Sequence, residues 1–223
     1  MEKNTILKNL DRCVAIWCGA DTCGADLANV AGMCLENKFD LVSVPADLVK
    51  TVWPWLEQGD VKIMGRFYFP DKKITENQIS DMTIAINNVL KCGAFGAQVF
   101  LKLSALSDLV EQTYIIKDDL FFAKDLIIGL DILDIDVSDW NDIFVNLQKI
   151  NAAALMVVMT RDLGNESDFV GRIYGLLSAW NIQNNFDLHF YLGPDSMRIE
   201  QVLRLVKKMR PELESRLKFF IHC

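Results

Sequence analysis

The sequence predicts a (β/α)8 TIM barrel, formed as one domain over residues 1–223. Three observations carry this. Short apolar runs rich in Val, Ile, Leu and Phe alternate with longer segments of helical period to the end of the chain. Every connection reads strand, helix, strand, the crossover that parallel strands require. The length is in the range where α/β barrels stay a single domain, and no Gly-x-Gly-x-x-Gly or Gly-Lys-Thr follows the first strand to mark a nucleotide-binding open sheet.

In order, RCVAIWC (12–18) is followed by the helical ADLANVAGMCLENK, and DLVSVP (40–45) by a shorter helix, ADLVKTVWPWLEQG. VKIMGRFYF (61–69) leads to TENQISDMTIAINNVLKCG, which opens with a Thr-x-x-Gln capping box at Thr75 and closes on Gly93. AQVFLKL (97–103) precedes LSDLVEQTYIIKDDLFFA, and LIIGLDI (126–132) precedes SDWNDIFVNLQKI. ALMVVMT (154–160) precedes ESDFVGRIYGLLSAWN, and DLHFYLG (187–193) precedes DSMRIEQVLRLVKKM. The chain ends on the eighth strand, KFFIHC (218–223). Residues 2–11 or a second copy would have to cover the seam between the first and last strands, which suggests a homo-oligomer or a chain shortened at its C-terminus.

Hydrophobic residues make up 51% and charged residues 24%, a globular balance. The formal charge is −7 and the Lys and Arg residues are scattered, which leaves no footprint for nucleic acid or an anionic membrane. No apolar stretch reaches the roughly 18 residues of a membrane span, and MEKNTILKNLDR is too polar for a signal-peptide core. A cytoplasmic protein acting on a small molecule is expected. The six cysteines are dispersed, as expected of reduced thiols. Cys13, Cys18 and Cys23 recur every five residues, whereas metal-binding pairs lie about two to four apart, so no metal site is expected.

Helices cover the outer wall of such a barrel, so polar residues within strands are assigned inward, and the site forms at the strands' C-terminal ends. Lys62, Arg66, Gln98, Lys102, Asp131, Thr160, His189, Tyr191, Lys218 and His222 are placed inward in this way. Arg66, Lys102, Asp131, Thr160, Tyr191 and His222 stand at the upper ends. A lysine in an apolar pocket loses proton affinity and can attack a carbonyl to form a Schiff base, with Asp131 or His222 moving protons. Arg66 can clamp a carboxylate or phosphate bidentately. The other reading of Lys102, Asp131 and Arg66 is an ion network across the mouth. Lys62 and Lys218 lie at the lower ends, where stability is the commoner role, and His189 reads as a hydrogen-bonded core residue.

The stretch from CLENKFDLVSVPADLVKTVWPWLEQGDVKIMGRFYFP to ITENQISDMTIAINNVLKCGAFGAQVFLKLSAL, residues 34–106, resembles the deoxyribose-phosphate aldolase family. The shared features are a strand ending Ser-Val-x-Pro, a Gly-Asp-Val-Lys entry to the third strand, a Phe-Pro turn, a capped helix and a Gly-Ala turn. The resemblance implies a barrel lyase that makes or breaks a carbon–carbon bond next to a carbonyl through a lysine Schiff base, without a cofactor, on small sugars, sugar phosphates or aldehydes. The chain departs from that pattern at the centre of the chemistry. The family's lysine belongs on the sixth strand, where this chain has MVVMTRD; a helper lysine on the seventh is replaced within DLHFYLG; and the fourth-strand aspartate falls on Gln98. The phosphate loops shrink to LGPDS, Gly193 to Ser196 and its neighbours.

Three readings follow. In the first, Lys102 forms the imine, Asp131 or His222 shuttles protons, and Arg66, Gln98, Thr160, Tyr191, Gly193 and Ser196 hold the substrate. In the second, the barrel has lost its chemistry and serves in binding or assembly. In the third, Asp131 and His222 act as the acid–base pair of a sugar-phosphate isomerase or epimerase.

Overall fold

A computed structural model of the chain describes residues 13–19, 22, 24–71, 73–115, 125–159, 166–181, 183–193 and 196–222. Eight strands, β1 (Val14–Trp17), β2 (Leu41–Pro45), β3 (Lys62–Phe69), β4 (Gly96–Leu101), β5 (Leu126–Asp131), β6 (Ala154–Val158), β7 (Asp187–Tyr191) and β8 (Leu217–His222), form a closed barrel in sequence order. Each pairs in parallel with the next. The ring closes where β8 meets β1, in register from Val14 opposite Phe219 to Trp17 opposite His222. The barrel is therefore of the (β/α)8 class, and the chain's last strand is its eighth.

Among the described residues, seven α-helices occupy the connections: α1 (Gly24–Glu36), α2 (Val49–Leu56), α3 (Glu76–Lys91), α4 (Leu103–Ile115), α5 (Trp140–Lys149), α6 (Glu166–Ala179) and α7 (Ser196–Met209). None is long and apolar enough to cross a membrane. The expected capping box is present: the Gln78 N–H donates to Thr75 Oγ1 at 3.4 Å and the Thr75 N–H to Gln78 Oε1 at 2.9 Å. Residues 2–11, expected over the β8–β1 seam, lie outside the described residues.

Strand parity separates wall from interior. On β4, Ala97, Val99 and Leu101 join the outer core with Ile79, Met82 and Ile86 of α3 and Leu106 and Leu109 of α4. Each large aliphatic side chain buried there contributes about 1.5–3 kcal/mol, which is what fixes the strand's facing. Its other face, Gln98 and Phe100, points to the axis. The apolar interior comprises Ala15, Trp17, Leu41, Met64, Phe100, Ile127, Ala154, Met156, Val158 and Phe220. Ser43, Arg66, Gln98 and His189 are buried polar residues.

The β4–α4 junction differs from the sequence expectation. The strand ends at Leu101 and the helix starts at Leu103, earlier than the expected Leu106, because the Ala105 N–H already bonds the Lys102 carbonyl at 2.9 Å. Lys102 is thus the single residue between strand and helix, at the barrel rim.

Candidate active site

The C-terminal mouth of the barrel holds a cavity of about 400 Å³. Trp17, Tyr68, Phe100 and Tyr191 supply aromatic walls, with Gly129 and Val158 between them. Lys102, Asp131 and Asp134 supply the polar side. This is the end of the barrel at which such folds assemble their sites.

The rings form a connected cluster. Trp17 stacks on Tyr191 at 4.3 Å between centroids and meets Phe100 edge-on at 5.5 Å. Tyr68 stacks on Phe100 at 5.2 Å. Phe100 can enter this cluster because Gly129 faces it on β5: a Cβ there would fall 2.2 Å from the ring.

Lys102 donates to Asp134 Oδ2 at 2.9 Å, with 47% of its side chain exposed. Its ion partner is Asp134 rather than Asp131. The chain turns sharply after β5 in a short 3-10 segment, Ile132–Asp134, where Asp131 Oδ1 accepts the Leu133 N–H at 3.0 Å. Arg172 of α6 braces the same turn by donating to the carbonyls of Ile132 and Ile135 at 2.8 and 2.6 Å. Asp131 and Arg172 together present Asp134 to Lys102.

Arg66 does not line the mouth cavity. It is 3% exposed, lies below the aromatic cluster, and has its guanidinium carbon 3.9 Å from the Trp17 ring centre. Nη1 donates to Ser43 Oγ at 3.2 Å and Nη2 to the Cys18 carbonyl. The Ser43 hydroxyl donates to Gln98 Oε1, and Gln98 Nε2 donates to Met156 Sδ at 3.6 Å. Burial pulls the arginine's proton affinity down, an effect that Tyr68 partly opposes.

His222 lines a separate cavity of about 530 Å³ beside α1, with Gly19, Thr22, Asp26 and Asn29. Asp131 and His222 therefore stand on different cavities. Tyr191 contacts both regions, meeting the His222 ring edge-on at 6.5 Å. Gly193 forms the turn after β7 at φ +74°. Thr160 lies outside the described residues, as does the side chain of Ser196, whose backbone opens α7.

A third cavity, about 150 Å³, opens at the opposite end of the barrel, among Asp40, Lys62, Asp125, Asp187, His189 and Lys218. Lys218 is ion-paired with Asp40, and Lys62 lies 4.0 Å over the Phe95 ring. Burial, with help from Lys218, lowers the His189 pKa to about 3, and its Nδ1 has no hydrogen-bond partner.

The sequence reading did not single out Trp17, Ser43 or Asp134. Ser43 carries the signal used for Arg66, a polar residue within an apolar strand, whereas Trp17 does not, since an apolar residue fits either face of a strand. Asp134 carried no such signal, because it reaches the site through a turn and not through strand alternation.

No family model and no curated protein sequence matches the chain. Its structure is similar to the tetrameric deoxyribose phosphate aldolase of Aeropyrum pernix, with TM-score 0.66 and 13% identity over 99% of this chain and 93% of that one. It is also similar to the aldolase QR15, with TM-score 0.66 and 9% identity over 96% and 91%. The carboxyl transferase domain of Rhizobium etli pyruvate carboxylase, solved with pyruvate and biocytin, gives TM-score 0.62 and 12% identity over 96% of this chain and 40% of that one. At these identities the likeness is one of fold alone, the (β/α)8 barrel.

Proposed function

We propose that this aldolase-type barrel binds a small carbonyl or sugar-like molecule in its mouth cavity, and that packed side chains have replaced the central amine chemistry which the resemblance implies. The observation that carries this reading is the identity of the inward residues at the upper ends of β6 and β7. They are Val158 and Tyr191, and Tyr191 is stacked against Trp17. The mouth cavity above them has the size and mixed lining of a small-molecule site, mostly apolar with a few convergent polar groups. Its rings offer flat faces to the carbon skeleton of a ligand; Lys102 offers a donor, and Asp131 and Asp134 offer acceptors.

A second reading has one observation in its favour: Lys102 and Asp131 line the same cavity. In an aldolase-type lyase the Lys102 amine would add to the substrate carbonyl, and loss of water would leave an iminium. Cleavage of the bond between the α and β carbons would then send its electron pair into that iminium, giving an enamine, while the β-hydroxyl gives its proton to Asp131 and becomes the carbonyl of the released aldehyde. Protonation of the enamine and addition of water would free the Lys102 amine. The isomerase reading needs Asp131 and His222 at one substrate, and the two line different cavities.

One experiment separates these. The protein is titrated by calorimetry with dihydroxyacetone, glyceraldehyde and acetaldehyde, then reduced with borohydride in their presence and analysed by mass spectrometry. Saturable binding that Tyr68→Ala weakens, with no added mass, supports the binding reading. Added mass on Lys102, absent from Lys102→Ala, supports the lyase. Neither binding nor added mass overturns both. Self-association is also expected, in line with the tetrameric Aeropyrum pernix relative, and light scattering measures it.

A further inference from the structure

We propose that Arg66 is a latent subsite for the oxyanion group of the ligand, a carboxylate or phosphate, and that the Trp17 indole covers it until such a ligand displaces it. This deepens the mouth-cavity reading and rests on it.

The guanidinium carries five N–H donors and a permanent charge. The Ser43 hydroxyl and the Cys18 carbonyl accept from it and the Tyr68 side chain lies against it, none of them a carboxylate. Nε is buried with no partner. No carboxylate among the described residues lies within ion-pair distance of it. Buried charges are ordinarily paired, because removing an ion from water without a counterion is costly. Here the face of Trp17 at 3.9 Å and the more distant Tyr68 ring at 5.8 Å offset part of that cost. An aromatic face is a weaker partner for a guanidinium than an oxyanion held by two parallel N–H bonds.

Position argues in the same direction. Arg66 sits in the upper half of the barrel, paired across β3 and β4 with Gln98 and across β2 and β3 with Pro45. Trp17 and Tyr68 both meet the guanidinium and line the mouth cavity, and Trp17 is the nearer cover, with its ring centre 3.9 Å from the guanidinium carbon against 5.8 Å for Tyr68. A rotation of the indole into the 400 Å³ space would exchange a cation–π contact for a path from the cavity to the charge. The ligand class that gains from this exchange is a small carbonyl or sugar compound bearing an anionic end.

The test compares inorganic phosphate, pyruvate and neutral dihydroxyacetone by calorimetry on the full chain at low ionic strength. Trp17→Ala is expected to bind phosphate and pyruvate at least tenfold more tightly than the parent, whereas dihydroxyacetone, which has no charge for Arg66 to meet and loses the indole face, gains nothing. Adding Arg66→Met should abolish that gain. Arg66→Lys, which keeps the charge and loses the fork, should retain phosphate binding at reduced affinity, and it serves where the Met variant fails to fold. Phosphate distinguishes itself from pyruvate as the preferred group by the larger gain. Anion affinity that is equal in the parent and Trp17→Ala, or that survives loss of Arg66, overturns the proposal. Dihydroxyacetone binding without any anion effect sinks this inference alone. Anion binding without dihydroxyacetone binding sinks the neutral-ligand reading of the mouth and leaves Arg66 standing.

Discussion

Nζ of Lys102 lies 2.9 Å from Oδ2 of Asp134, and the turn that brings the carboxylate there is held by Asp131, whose Oδ1 accepts the Leu133 N–H. The two acids thus divide the work: one shapes the chain, the other faces the amine. Exposure of the lysine limits what the pair contributes to folding, since solvent-screened pairs stabilise by about 0–1 kcal/mol. Lys102→Ala is therefore expected to lower unfolding free energy by less than about 1 kcal/mol in urea titrations. A loss above about 2 kcal/mol would show that the amine carries structural weight beyond a rim ion pair. A small loss also makes Lys102→Ala a folded control for the trapping experiment.

The barrel and its strand phases were legible because two faces of each strand obey different rules. On β4, outward Ala97, Val99 and Leu101 must be apolar beneath helices, so Gln98 had to point inward, as it does, fully buried. The same parity placed Arg66 inward but said nothing of depth. Burial beneath Trp17 depends on which ring occupies the space above it, a contact between residues 49 positions apart that no local pattern encodes. The Lys102 environment was illegible for a related reason: its partner comes from a turn after β5 whose shape depends on Asp131 and on Arg172 of a later helix. Alternation reads facing, and turns decide who meets at the rim.

His189 gives the fold a pH dependence of definite sign. Its folded-state pKa is lowered to about 3 by burial, below the ordinary value near 6.5. As pH falls through 6.5 the unfolded chain takes up a proton that the folded chain refuses. Stability present above pH 6.5 is therefore lost progressively toward pH 3. By pH 5 the loss from this residue is about 2 kcal/mol, above the range in which most carboxylates titrate. Urea titrations at pH 7 and pH 5 should show it in the parent and not in His189→Gln. Equal slopes in both proteins would assign the acid sensitivity elsewhere.

Gly93 ends α3 at φ +102°, and a Cβ at that position would lie 2.0–2.4 Å from atoms of the Trp53 indole. Two penalties coincide in Gly93→Ala: a left-handed backbone with a side chain, roughly 1–2 kcal/mol, and overpacking of about 1–3 kcal/mol. A loss of at least about 2 kcal/mol in unfolding free energy is expected. Asn, which tolerates this backbone region better, should recover little, because it keeps the Cβ that meets Trp53. Near-parental stability in Gly93→Asn would remove the steric half of the argument.

Gly129 links the fold to the site. Its missing Cβ leaves room for the Phe100 ring, two of whose carbons would lie 2.2 Å from an added methyl. Trp17 meets that ring edge-on and Tyr68 stacks against it, so a displaced Phe100 has the mouth cavity as its open direction. Gly129→Ala is expected to cost about 1–3 kcal/mol of stability and to weaken any mouth ligand by filling its space. Shrinking the ring in the same protein should reverse both effects. The double variant Gly129→Ala with Phe100→Leu is expected to be more stable than the sum of the single changes by about 0.5–3 kcal/mol, the coupling of residues in direct contact. Strict additivity in that cycle, read by urea titration, would mean that Gly129 is not where the cavity gets its shape.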